Sequence, residues 1–91
     1  MARTFRPTHE SAYRQSPSLR ARIGKGTQVR TFEIDAVPKA HAWNACVERD
    51  GQLGLALFFT QARALDARAA YQREIDACLD NGWVVLDDQP A

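Results

Sequence analysis

A hairpin turn at Asp50-Gly51, between two runs of alternating side chains, most constrains how this chain can fold. The runs cover residues 42–48 and 52–59, and a period of two is typical of strands with one buried face. The larger set of alternating apolar residues in these runs consists of Trp43, Ala45, Val47, Leu53, Leu55, Leu57 and Phe59. We therefore predict an antiparallel hairpin with one strongly apolar face.

The positions of the apolar residues in the two runs predict the length of the loop between them, because the loop length decides which residues pair. A two-residue loop would put Val47 opposite Gly54 and turn the two apolar sets to opposite faces. A three-residue loop of residues 49–51 would put Val47 opposite Leu53, so that all the large side chains share one face. We predict the three-residue loop, with Gly51 in the left-handed conformation.

On this register the second face of the hairpin is small and weakly apolar. An uncovered patch of this kind would form a modest protein-binding surface. Its residues are Ala42, Cys46, Ala56 and Phe58. The alternative is that the N-terminal segment or the last strand covers the patch. An uncovered strand edge would also be open to pairing with another chain.

Two further patterns complete the predicted fold. Residues 31–36 alternate like the hairpin strands, and Pro38 ends that strand because it cannot donate to a ladder. A helix follows from Leu65 and stops at Asn81-Gly82, and a short strand comes after it. The residues predicted to face the sheet, at helical spacing, are Ala67, Tyr71, Ile75 and Cys78.

The element order β-β-β-α-β predicts an α+β fold, a small and mainly antiparallel sheet with one helix packed on one face. We assign this single domain to residues 28–91 and interpret residues 1–27 as a flexible N-terminal arm, because prolines and glycines interrupt it and apolar side chains are sparse. The 91 residues suffice for one domain.

The charge of the chain is distributed unevenly. The arm has six basic residues and one acid, whereas residues 28–91 have six bases and ten acids. A basic arm could bind a phosphate backbone, with Phe5 and Tyr13 available to stack on bases. The predicted nucleic-acid contacts are Arg3, Arg6, Arg14, Arg20, Arg22 and Lys25. The alternative is an arginine-rich terminus with no specific role.

No constellation of catalytic or metal-binding residues stands out. His41 and Cys46 could be a base with a nucleophile, but five residues apart on a strand they would point to opposite faces. Asp80 with residues 87–88 offers carboxylates without a ligand loop, and residues 23–27 lack the spacing of a phosphate loop. We expect no catalytic residue, no metal and no cofactor.

Cysteine content and hydropathy indicate the environment of the protein. The two cysteines, Cys46 and Cys78, are predicted to lie on opposite sides of the sheet, too far apart to pair. The sequence has neither a secretory signal nor an apolar run long enough to span a membrane. These features predict a cytoplasmic protein with reduced thiols and no membrane partner.

The region from Phe32 to Trp83, with strands followed by a helix that ends at DNGW, is similar in element order to the WGR type of DNA-end-binding domain. Residues 48–54, ERDGQLG, stand where the Trp-Gly-Arg motif of that family would be expected. Because that motif is absent, no function is carried over from the resemblance.

These observations favour a small non-enzymatic binding protein. The first hypothesis is nucleic-acid binding through the basic arm. The alternative is a protein-binding inhibitor or adaptor, of a mobile-element or anti-defence type, that uses the sheet face around Phe58 and a strand edge. A homodimer is a further alternative, and a small enzyme is the least favoured one.

Overall fold

A computed structural model describes residues 16–86 of the chain. Within these residues the chain forms five strands and one α-helix, with one turn of 3-10 helix at Pro38–Ala40. The elements are β1 (Leu19–Lys25), β2 (Gln28–Val37), β3 (Ala42–Arg49), β4 (Gln52–Phe58), α1 (Gln61–Asp80) and β5 (Val84–Val85).

The five strands form one antiparallel sheet in the order β4-β3-β2-β1-β5. Helix α1 packs on one face of the sheet, which we call the helix face. The opposite face is called the outer face. The predicted α+β fold, a small antiparallel sheet with one helix on one face, is confirmed.

The sheet has a strand that the sequence prediction missed. Residues 19–25, assigned to the flexible arm, form β1 and pair along their length with β2. The predicted boundary between residues 27 and 28 therefore falls inside a tight turn. The strand forms because Leu19, Ala21 and Ile23 alternate with arginines, so its apolar side chains all reach the helix face. Residues 1–15 of the arm lie outside the described residues.

The hairpin of β3 and β4 has a two-residue loop, so the predicted three-residue loop is wrong. Arg49 pairs with Gln52, and Val47 pairs with Gly54 instead of Leu53. Asp50 and Gly51 both have positive φ, at 51° and 81°, as a type I′ turn requires. This turn matches the twist of the strands, and its preference for Asp-Gly outweighs the gain from placing the leucines on the core face.

The core lies between the helix and the middle of the sheet. Phe32 is completely buried, and its ring centroid lies 5.7 Å from that of Tyr71 on α1. The buried cluster around it consists of Ile23, Val47, Ile75, Cys78 and Trp83. Because Ile23 of β1 and Phe32 of β2 are two of the three strand residues in this cluster, the helix face is filled without the leucines of β4.

Both ends of α1 are capped. Thr60 is the N-cap, and its Oγ1 accepts a hydrogen bond from the backbone N–H of Arg63 at 3.1 Å. The helix therefore begins four residues before the predicted start. At the other end Gly82 has φ 94°, and the N–H of Trp83 donates to the Cys78 carbonyl at 3.0 Å. The predicted stop at Asn81-Gly82 is confirmed, and Trp83 packs in the same buried cluster as Cys78.

We expect Gly51→Ala to lower the free energy of unfolding by ~1 kcal/mol. A Cβ at Gly51 would meet no other atom within 4 Å, so the cost comes from the positive φ alone. Gly54→Ala is the matched control, because its Cβ would make an ordinary contact 3.7 Å from the Val47 carbonyl oxygen and no left-handed φ is required. Urea unfolding should show a loss only for the first variant; equal losses would contradict the turn assignment.

Candidate functional site

The edge strand β4 presents three leucines on the outer face of the sheet. Leu53, Leu55 and Leu57 are 61%, 68% and 49% exposed, whereas Ala42, Ala45 and Val47 of the neighbouring strand β3 are buried. The leucines are there because the two-residue loop turns them away from the helix. We call these three residues the β4 edge.

The backbone of the same three leucines also faces outward. The residues that flank a two-residue hairpin loop, here Arg49 and Gln52, exchange both backbone hydrogen bonds. From that pair the bonding alternates along an antiparallel ladder, so every second residue of β4 bonds to β3. The N–H and C=O groups of the β4 edge therefore point away from the sheet, toward a position where a further strand could lie.

Strand β4 lacks the features that usually protect an edge strand from pairing. Residues 52–58, QLGLALF, contain no charged side chain and no proline, and the strand is seven residues long. The opposite edge of the sheet is formed by β5, which has two residues, and by residues 19–21 of β1, which include Arg20. The β4 edge is therefore the longer and more apolar of the two edges in the described part of the chain.

Charged side chains of both signs lie on the rest of the outer face. Arg20 and Arg22 of β1 lie on it, and Arg20 is 3.7 Å from Glu33 of β2. Asp35 and Glu48 add negative charge nearer to β4. An open groove of roughly 400 Å³ between Arg22 and the Asp50-Gly51 turn is lined by both charges as well. This mixture gives no continuous basic surface.

On the helix face a carboxylate joins the helix to two neighbouring strands. Glu74 accepts hydrogen bonds from Arg49 Nε at 2.8 Å and Arg49 Nη2 at 2.7 Å, and from Arg30 Nη1 at 3.3 Å. Arg30 and Arg49 are directly opposite each other on β2 and β3, so their like charges would repel without Glu74. Arg30 also lies over the ring of Trp83, with its guanidinium carbon 4.6 Å from the ring centroid.

The protonation equilibria of this cluster reflect the same contacts. The hydrogen bond from Arg49 lowers the pKa of Glu74, and the hydrogen bond to Glu74 raises the pKa of Arg49. Burial raises the pKa of Tyr71. All three shifts favour the protonation states of neutral pH. We therefore interpret the cluster as a connection between helix and sheet. The sequence pattern did not predict it, because Arg49 and Arg30 are 25 and 44 residues away from Glu74.

The predicted protein-binding residues do not form one patch. Ala42 and Cys46 are at the alternate positions of β3 that lie on the outer face. Ala56 and Phe58 pair with Ala45 and Trp43, which lie on the helix face. The prediction of a shared face is wrong because it depended on the three-residue loop. Cys46 lies beside Leu55 on the outer face, and Cys78 lies on the buried side of α1, so the two thiols are on opposite sides of the sheet as predicted.

The predicted nucleic-acid contacts are also separated. Arg3, Arg6 and Arg14 lie outside the described residues, and Arg20 and Arg22 are exposed on the outer face. Lys25 has a structural contact: its Nζ donates to the Asn81 carbonyl at 2.8 Å, at the C-terminus of the helix.

The fold does not bring together the residues that were candidates for catalysis or metal binding. His41 precedes β3, with a left-handed φ of 53° after the 3-10 turn, and is exposed, whereas Cys46 lies within the strand. Among residues 16–86, no group of three or more His, Cys, Asp or Glu side chains could hold a metal ion. Residues 87–88 lie outside the described part of the chain.

No helix in residues 16–86 is both long and apolar enough to cross a membrane.

No family model, curated protein or solved structure matches this chain.

Proposed function

We propose that this chain is a non-enzymatic binding protein whose β4 edge takes an extended segment of a protein partner as an added strand. The observation that supports the proposal is the coincidence of two properties in Leu53, Leu55 and Leu57. They combine exposed apolar side chains with outward-facing backbone groups. Strand addition uses the backbone groups for affinity and alternate side chains for specificity.

The chemistry of the partner segment follows from that of the edge. Because β4 has no charged side chain, the added strand would find no ion pair along it. Its side chains on the outer face would lie against leucines, so they should be apolar at every second position. The partner segment is therefore expected to be extended and alternately apolar.

Nucleic-acid binding has a weaker basis in the described residues. Of the predicted contacts, Arg20, Arg22 and Lys25 lie in the described residues and are exposed, and Glu33 pairs with the first of them. Lys25 is engaged at the end of the helix. We therefore favour a protein partner.

A selection from a random seven-residue peptide library displayed on phage tests the proposal. The wild-type protein should enrich peptides with apolar residues at alternate positions, and Leu55→Lys should not enrich them, because it introduces a charge at the centre of the edge. Val84→Lys is the matched control, since Val84 is 57% exposed but lies on the opposite edge strand.

Hydrogen exchange then locates the bound peptide. A peptide obtained from the selection should slow the exchange of the Leu53, Leu55 and Leu57 amides when it binds. The effect should be smaller for the Gly54 and Ala56 amides, because these already bond to β3. Equal enrichment by the wild type and Leu55→Lys, or protection elsewhere in the sheet, would contradict the proposal.

A further inference from the structure

We propose that a second copy of this chain occupies the β4 edge, and that the two β4 strands pair antiparallel about a two-fold axis at Leu55. This inference rests on the proposed function and names its partner. The two sheets would then join into one continuous sheet of ten strands.

The first reason is that β4 is complementary to itself. The strand covers residues 52–58, so Leu55 is its central residue, and Leu53 and Leu57 lie at equal distances on either side. A two-fold axis at Leu55 puts it opposite its own copy and puts Leu53 opposite Leu57 of the second copy. Since these residues have the outward-facing backbone groups, one register pairs all of them, with about six hydrogen bonds across the seam.

The second reason is the side-chain chemistry on both sides of the seam. On the outer face every pair across the axis is leucine with leucine, and such apolar pairs stabilise neighbouring strands. On the helix face the same register pairs Gly54 with Ala56 of the second copy, and these small side chains leave room beside the two helices. No like charges meet within the paired strands.

Charge complementarity at the ends of the strands is the third reason. The same register, continued past the strand, brings Asp50 of each copy toward Thr60 of the other copy. Thr60 caps α1, whose first turn contains no acidic residue but does contain Arg63. An exposed carboxylate near this positive helix end is favourable, and a two-fold axis provides the contact twice.

The outer face favours pairing through the edge over stacking of two sheets. Stacking would remove Asp35 and Glu48 from water together with the leucines, and carboxylates are costly to bury without a partner. Pairing through the edge leaves these groups solvated. The shared surface is small, so we expect a dimer in reversible equilibrium with the monomer in the micromolar range.

Sedimentation of the full chain over a range of concentrations tests for the dimer. The wild type and Val84→Lys should show the same monomer–dimer equilibrium, and Leu55→Lys should raise the dissociation constant at least about tenfold, because two lysines would face each other at the axis. Circular dichroism should show unchanged folding, since Leu55 is 68% exposed.

Engineered cysteines test the register. Cys46 is first replaced by alanine, because it lies opposite Leu55 within the same copy and could form a bond with a cysteine there. In this background Leu55→Cys should form a disulfide-linked dimer on oxidation, since paired Cα atoms lie ~5.5 Å apart. Leu53→Cys alone should not, because its copies would be ~13 Å apart along the strand. A mixture of Leu53→Cys and Leu57→Cys proteins should form the linked dimer.

The outcomes separate this inference from the proposed function. If the protein remains monomeric at every concentration, the proposal that a second copy occupies the β4 edge is overturned. Peptide binding at the β4 edge would still support strand addition. A dimer that Leu55→Lys leaves intact, or efficient linkage through Leu53→Cys alone, overturns the pairing about Leu55. Loss of both dimer formation and peptide selection would overturn both proposals.

Discussion

Phe32→Ala is expected to lower the free energy of unfolding by about 3–5 kcal/mol, the largest effect of any single substitution considered for this chain. Phe32 is completely buried, lies in the central strand of the sheet and touches Tyr71 on the helix. Removing its ring leaves a cavity between the two layers, because the neighbouring strands are held by their ladders and cannot close it.

A loss of this size would be severe for a domain this small. A protein of this length has a total stability of roughly 5–14 kcal/mol. Each kcal/mol changes the melting temperature by roughly 4–8 °C at this size, so the midpoint should fall by roughly 12–40 °C. Thermal unfolding followed by circular dichroism would measure the shift.

Phe59→Ala is the matched control for Phe32→Ala. Phe59 is the same residue type, is 65% exposed and lies just after β4. Its replacement should change the free energy of unfolding by less than about 0.5 kcal/mol. If the two substitutions cost the same, the core would not be centred on β2.

The sequence predicted the fold class well because alternation and the helix stop are local signals. Strands β2, β3 and β4 and the end of α1 at Asn81-Gly82 all appear near their predicted positions. Strand β1 was missed because arginines and glycines resemble the composition of an unstructured arm. The alternation of Leu19, Ala21 and Ile23, followed by a two-residue turn that begins with Gly26, was the signal that could have revealed it.

The error in the hairpin register followed from the missing strand. With β1 absent from the prediction, the large side chains of β4 were needed to fill the core, and parity then required a three-residue loop. In the structure Ile23 and Phe32 fill that space, so β4 can follow the preference of its Asp50-Gly51 turn. A sequence pattern identifies which side chains share a face, but not which face the rest of the chain covers.

Glu74→Gln is expected to lower the free energy of unfolding by about 1–2 kcal/mol at neutral pH. The amide keeps the shape of the side chain but loses its charge, so Arg30 and Arg49 remain opposite each other without a carboxylate between them. The partial exposure of Arg49, 45% for its side chain, keeps the cost in this lower range because water can solvate the guanidinium. Asp76→Asn is the control, since Asp76 is an exposed acid on the same helix and accepts a hydrogen bond from the uncharged Gln72.

The pH dependence of stability distinguishes a loss of charge from a loss of packing at Glu74. Folding lowers the pKa of Glu74 below its usual 4.5, because Arg49 donates hydrogen bonds to the ionised carboxylate. The ionised group therefore stabilises the folded state fully above pH 4.5, and this contribution is lost as the pH falls through the lower pKa of the folded protein. Urea unfolding between neutral and acidic pH should show the difference between the wild type and Glu74→Gln shrinking as the pH falls. A difference that stays constant with pH would mean that the side chain acts through packing alone, and the electrostatic connection between α1 and strands β2 and β3 would then be wrong.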